Sequence, residues 1–163
     1  QAFVDTVRAA GGTHAERTLI VSSHAQSITE AAVSAVKVPN DSHVIVSIHS
    51  YAPWDFCGPE NDRADWGSDA DKAELDKNFQ YLDDMFISKG IPVIIDEFGA
   101  VDKNNAQARA AWFAYYISSA KKHGIKCFVW DNGQSSGEFG LLNRSNNTWD
   151  YPEIIQAIQD AAQ

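Results

Sequence analysis

The chain has 163 residues, 44% hydrophobic and 21% charged, enough for one compact domain with a substantial core. Its formal net charge of -9 argues against nucleic acid or an anionic membrane as partner, because either polyanion is repelled, whereas a neutral substrate is not. No apolar stretch approaches the roughly 20 residues of a membrane span, and the start, Gln1-Ala2-Phe3-Val4, lacks the basic and apolar regions of a signal peptide.

In chain order, Phe3, Val4 and Val7 predict a first helix, and Arg17 to Ser23 a first strand. A second strand follows over His43 to Tyr51. Leu75, Phe79, Leu82 and Phe86 then fall at helical spacing, and Ile91 to Gly99 reads as a third strand. Phe113, Ile117 and Ala120 predict another helix, Ile125 to Gly133 a fourth strand, and Ile154, Ile155 and Ile158 a closing helix. Gly11, Gly90 and Gly124 stand where left-handed C-terminal caps are wanted, and Pro152 suits a first helical turn. The pattern is α, then βα four times, which argues a parallel sheet with crossover helices, either an open doubly wound sheet or part of a barrel. A complete (β/α)8 barrel needs about 250 residues, so the chain holds about half of one. Residues 1–163 therefore read as a single partial domain that starts in mid-fold.

Cys57 and Cys127 show no CxxC spacing and read as free thiols. The five histidines, His14, His24, His43, His49 and His123, show no metal-ligand spacing, and no metal or other cofactor is expected.

The strand tips carry the chemistry. The run Ile91-Pro92-Val93-Ile94-Ile95-Asp96-Glu97-Phe98-Gly99 is apolar until it ends in acid, and a carboxylate where a parallel strand stops faces the ligand crevice. By the period of two, Ile45, Ser47, His49 and Tyr51 share one face of the second strand. The same rule puts Val93, Ile95 and Glu97 together on the third, with Asp96 opposite, and Phe128 with Trp130 on the fourth. Two aromatic loops flank these tips. Ala52 to Ala70 carries Trp54, Phe56 and Trp66 among charged residues, and Asp131 to Asp150 carries Phe139 and Trp149 with Gly133, Gly137 and Gly140.

Ile48-His49-Ser50-Tyr51-Ala52-Pro53-Trp54, the run from Ile91 to Gly99, and Val129-Trp130-Asp131-Asn132-Gly133 together resemble glycoside hydrolase family 5, largely endo-β-1,4-glucanases on a (β/α)8 (TIM) barrel. The resemblance implies that the chain is the C-terminal half of such a barrel and its strands the family's fifth to eighth. It also implies that Glu97 is the nucleophile, His49 and Tyr51 its sixth-strand companions, and Trp130 a sugar platform. Trp54, Trp66 and Asn132 are expected to contact β-glucan, and an extracellular setting follows from the family. Tyr51 is placed to donate a hydrogen bond that holds Glu97 ionised and aimed.

One part of the family pattern is absent. Retaining hydrolysis needs two carboxyl groups about 5 to 5.5 Å apart, and the family carries its acid/base in an Asn-Glu pair, which this sequence lacks. Asp96, on the face opposite Glu97, and Asp131, Glu60 and Glu138 are poor substitutes by position. The expected partner is therefore an N-terminal half of the same barrel that supplies the acid/base; the other candidate is a second half-barrel, whose self-pairing would put two copies of Glu97 in one lumen with neither acid correctly placed. The alternative is a non-catalytic carbohydrate-binding or structural half-barrel.

Overall fold

The computed structural model describes residues 1–163. Its strands are β1 (Leu19–Ser27), β2 (Val44–His49), β3 (Val93–Phe98) and β4 (Lys126–Val129), all parallel in the order β1-β2-β3-β4. Sequential order is what one wall of a barrel requires, whereas a doubly wound sheet reverses direction at a switch point. The helices are α1 (Ala2–Ala9), α2 (Glu30–Ser34), α3 (Trp54–Cys57), α4 (Asp69–Met85), α5 (Ala106–Lys122) and α6 (Pro152–Ala162). A small antiparallel pair, β5 (Leu142–Asn143) and β6 (Thr148–Trp149), lies before α6. With 5 and 4 residues, α2 and α3 are too short to register as apolar periodicity. No helix is long and apolar enough to cross a membrane.

Local signals set the boundaries. Ser68 accepts the Asp71 N–H while the Asp71 carboxylate accepts the Ser68 N–H, a reciprocal cap that starts α4. Gly90 and Gly124, after the helices before β3 and β4, take the left-handed conformation at φ 78° and 73°.

The core lies between the sheet and α4 and α5. Val46, Ile48, Ile95 and Phe98 pack there with Leu75, Phe79, Leu82, Trp112, Phe113 and Tyr116. Each large apolar side chain so buried contributes about 1.5–3 kcal/mol before entropy is counted. Phe98 stacks on Tyr116 with ring centroids 4.5 Å apart. On the other face of the sheet Ile20 and Phe128 are 52% and 55% exposed, so this wall is covered on the helix side alone.

The faces of β3 differ from the period-of-two expectation. Val93 and Ile95 are buried in the helix-side core, not beside Glu97 on the inner face. The register explains it: Ile48 pairs with Ile95, but the next pair is His49 with Glu97, so Asp96 is an extra residue in β3. Such a bulge breaks the alternation and re-aims the side chains beyond it. Asp96 accordingly does not point away from Glu97, and both carboxylates approach His49.

Candidate active site

The inner face at the carboxyl ends of β2 and β3 gathers His49, Tyr51, Asp96 and Glu97. Tyr51 Oη donates to Glu97 Oε2 at 2.9 Å. His49 Nδ1 lies 3.1 Å from the same oxygen, and His49 Nε2 lies 3.3 Å from Asp96 Oδ1. The imidazole thus stands between two carboxylates from consecutive residues. The side chains of His49, Asp96 and Glu97 are between 20% and 31% exposed, so they are partly desolvated but still reach solvent. Burial, and then the hydrogen bond to Glu97, push the Tyr51 phenol above its usual value, so it stays a donor at neutral pH.

Backbone contacts fix this group. Ser50 N–H donates to Glu97 C=O at 3.0 Å, and Trp130 N–H donates to Phe98 C=O at 2.8 Å, extending the sheet past its regular ends. From α5, Tyr116 Oη donates to Ser50 C=O at 3.1 Å and Trp112 Nε1 to Ala52 C=O at 3.0 Å. The carbonyls on either side of Tyr51 are therefore both held by buried donors.

Two aromatic rings meet Tyr51 edge-on, Trp54 at 6.3 Å and Phe139 at 5.5 Å between centroids. Phe139 comes this close because Gly99 has no side chain: a Cβ there would lie 3.2 Å from Phe139 Cδ1 and 3.4 Å from Trp130 O. Trp54 and Trp130 are 51% and 41% exposed, leaving flat apolar area open just past the ends of β2 and β4. Asn132 is exposed, but its amide is engaged within its own loop, donating to Glu138 Oε2 at 2.9 Å and accepting the Gln134 N–H at 3.3 Å.

Trp66 is not part of this group. It leads directly into the cap of α4 and falls against α5, with Tyr115 at 5.5 Å. There it lines a groove of about 440 Å³ with Lys72 and Lys122, on the helix side of the sheet.

Both loops that border the tips are anchored. Lys103 Nζ donates to the carbonyls of Asp55 at 3.2 Å, Phe56 at 2.8 Å and Arg63 at 3.2 Å. Arg63 in turn bridges Asp55 and Asp71. In the other loop, burial alone would raise the carboxyl of Asp131. The N–H groups of Leu141, Gly133 and Leu142 and the Arg144 guanidinium outweigh burial and hold it at about 2. Asp131 is thus an anchor that cannot donate a proton near neutral pH.

Period-of-two reading missed Asp96, because the bulge that turns it inward leaves no mark in the residue pattern. Phe139 was legible as part of an aromatic loop, but its approach to Tyr51 depends on Gly99, which is 40 residues away.

Comparison with known proteins gives one consistent likeness. The family profile described as cellulase (glycosyl hydrolase family 5) matches residues 1–136. A cellulase/esterase, CelE, of Acetivibrio thermocellus is 41% identical over 99% of the chain, and endoglucanase B of Neocallimastix patriciarum is 41% identical over 96%. Among solved structures, a GH5-4 broad specificity endoglucanase from Clostridium longisporum superposes with a TM-score of 0.93 at 35% identity. A mutant lichenase from Caldicellulosiruptor sp. F32 in complex with cellotetraose superposes at 0.91 with 38% identity. The chain spans 20% and 34% of the two curated relatives and 48% of each of these solved chains.

Proposed function

The chain belongs to glycoside hydrolase family 5, and from that membership we propose that it carries the nucleophile of a retaining endo-β-1,4-glucanase, Glu97, and acts once an N-terminal (β/α)4 half completes the barrel. The observation that carries the reading is the Tyr51–Glu97 hydrogen bond of 2.9 Å at the strand tips. A carboxylate that accepts a phenolic O–H is held with that oxygen in a fixed direction, as a nucleophile requires.

In this reading a Glu97 oxygen attacks the anomeric carbon as the bond to the leaving sugar oxygen breaks. That oxygen takes its proton from an acid/base residue of the N-terminal half, and water then releases the glycosyl group with the same residue as base. Trp130 and Trp54 offer their faces to sugar rings, Asn132 borders the crevice, and His49 steadies Glu97 from its other side. The relatives' greater length and the open edges at β1 and β4 support the missing half. A β-glucan polymer is met outside the cell, so the same reading places the protein there.

The test uses the completed barrel, this chain joined to its N-terminal half. A fluorinated mechanism-based glycoside is expected to label Glu97, and Glu97→Gln to lower reducing-sugar release from β-glucan by on the order of 10⁴-fold. Glucan binding without label or sugar release would instead favour a carbohydrate-binding half-barrel.

A further inference from the structure

The carboxylate beside the proposed nucleophile has no place in that scheme. Asp96 is inserted by the bulge between the Ile48–Ile95 and His49–Glu97 pairs. Its Oδ1 is buried and has no aligned hydrogen-bond donor, and the cation contact it does have is His49 Nε2 at 3.3 Å. A buried carboxylate oxygen is costly unless something offers it a proton or a charge. The imidazole is the group in reach of it, and its other nitrogen lies 3.1 Å from Glu97 Oε2; meeting both carboxylates takes an N–H on each nitrogen, which only the protonated ring has.

We propose that Asp96 is a positioning residue: it holds the Nε2 side of His49 so that the Nδ1 side stays against Glu97. The inference rests on the reading of Glu97 as nucleophile and deepens it. An imidazole has one edge at each nitrogen, and an acceptor on one edge fixes both the ring plane and where the other edge points. Tyr51 holds Glu97 Oε2 from one side. Asp96 is one of the two carboxylates that meet the His49 ring, and without it the contact to Glu97 is left with no polar partner on the opposite edge to set its aim. Catalytic hydrogen bonds that are long in the free enzyme commonly tighten around substrate, so a 3.3 Å contact is adequate for this role.

The test compares Asp96→Ala with Asp96→Asn in the completed barrel. Asp96→Ala removes the acceptor and is expected to lower kcat on β-glucan about tenfold with KM within about twofold, a loss of the size that support residues behind a reacting group show. Asp96→Asn can turn its amide oxygen to the same nitrogen and is expected to recover at least half of that loss on a logarithmic scale. The His49 ring ¹⁵N signals are expected to move in Asp96→Ala and to return toward wild type in Asp96→Asn. Unchanged kcat in Asp96→Ala, an Asp96→Asn enzyme as impaired as Asp96→Ala, or unmoved ring signals each overturn the proposal. Activity surviving in Glu97→Gln overturns the functional reading instead, and the ring signals report on the Asp96–His49 contact in either case.

Discussion

Tyr51 is held at both its backbone and its ring. Tyr116 and Trp112 donate to the carbonyls on either side of it, Trp54 and Phe139 meet its ring edge-on, and its hydroxyl donates to Glu97. A side chain so constrained loses little freedom when it supports a developing charge. Removing the hydroxyl alone isolates that contribution. Tyr51→Phe in the completed barrel is expected to lower kcat on β-glucan by about 10- to 100-fold, as for a hydrogen bond to a charged group of about 1.5–3 kcal/mol, with KM nearly unchanged. Steady-state rates on a soluble β-glucan check it, and a loss confined to KM would mean the hydroxyl serves sugar binding. Residue spacing made this pair legible: Tyr51 lies two residues past His49, where β2 ends, and Glu97 lies at the tip of β3.

At the scale of elements, the order α then βα four times was legible because the strands fall in short apolar runs and the long helices carry apolar residues at helical spacing. The faces of β3 were not. One inserted Asp reverses the alternation, and nothing in the sequence distinguishes an inserted residue from a paired one. Trp66 shows a second limit: an aromatic residue in a long loop looks like a ligand contact whichever layer it lands on. The Asp131–Asp150 loop depends on one carboxylate, which accepts from three backbone N–H groups and from Arg144. Asp131→Ala leaves those N–H groups without their acceptor and is expected to destabilise the completed barrel by about 1–3 kcal/mol in chemical denaturation. Because the Asp131 carboxyl sits at about 2 in the folded protein, below its unfolded value, its stabilisation is fully present above pH of about 4. It is lost as pH falls toward 2, so the wild type and Asp131→Ala should converge in stability over that window. A gap between them that stays constant down to pH of about 2 would rule out this linkage.

At the scale of the molecule, the sheet has two bare edges and one bare face. Ile20 and Phe128, half exposed on the inner face, lie on the outermost strands β1 and β4, and unpaired strand edges next to apolar area promote association. The chain on its own is expected to self-associate at micromolar concentration, and Ile20→Ser with Phe128→Ser to reduce that association. The N-terminal half, added in equal amount, is expected to replace it with a one-to-one complex. Sedimentation velocity reads all three, and a monodisperse, stable monomer of the isolated chain would count against a barrel completed by a partner. The bare inner face contrasts with the rim, where Lys103 reaches from the segment before α5 to take three carbonyls of the loop that carries Trp54. One ammonium thereby fastens that loop to the part of the chain that follows Glu97. The rim on this side is a fixed jamb and not a door, so on the reading of Glu97 as a nucleophile a sugar chain would meet a wall already in place.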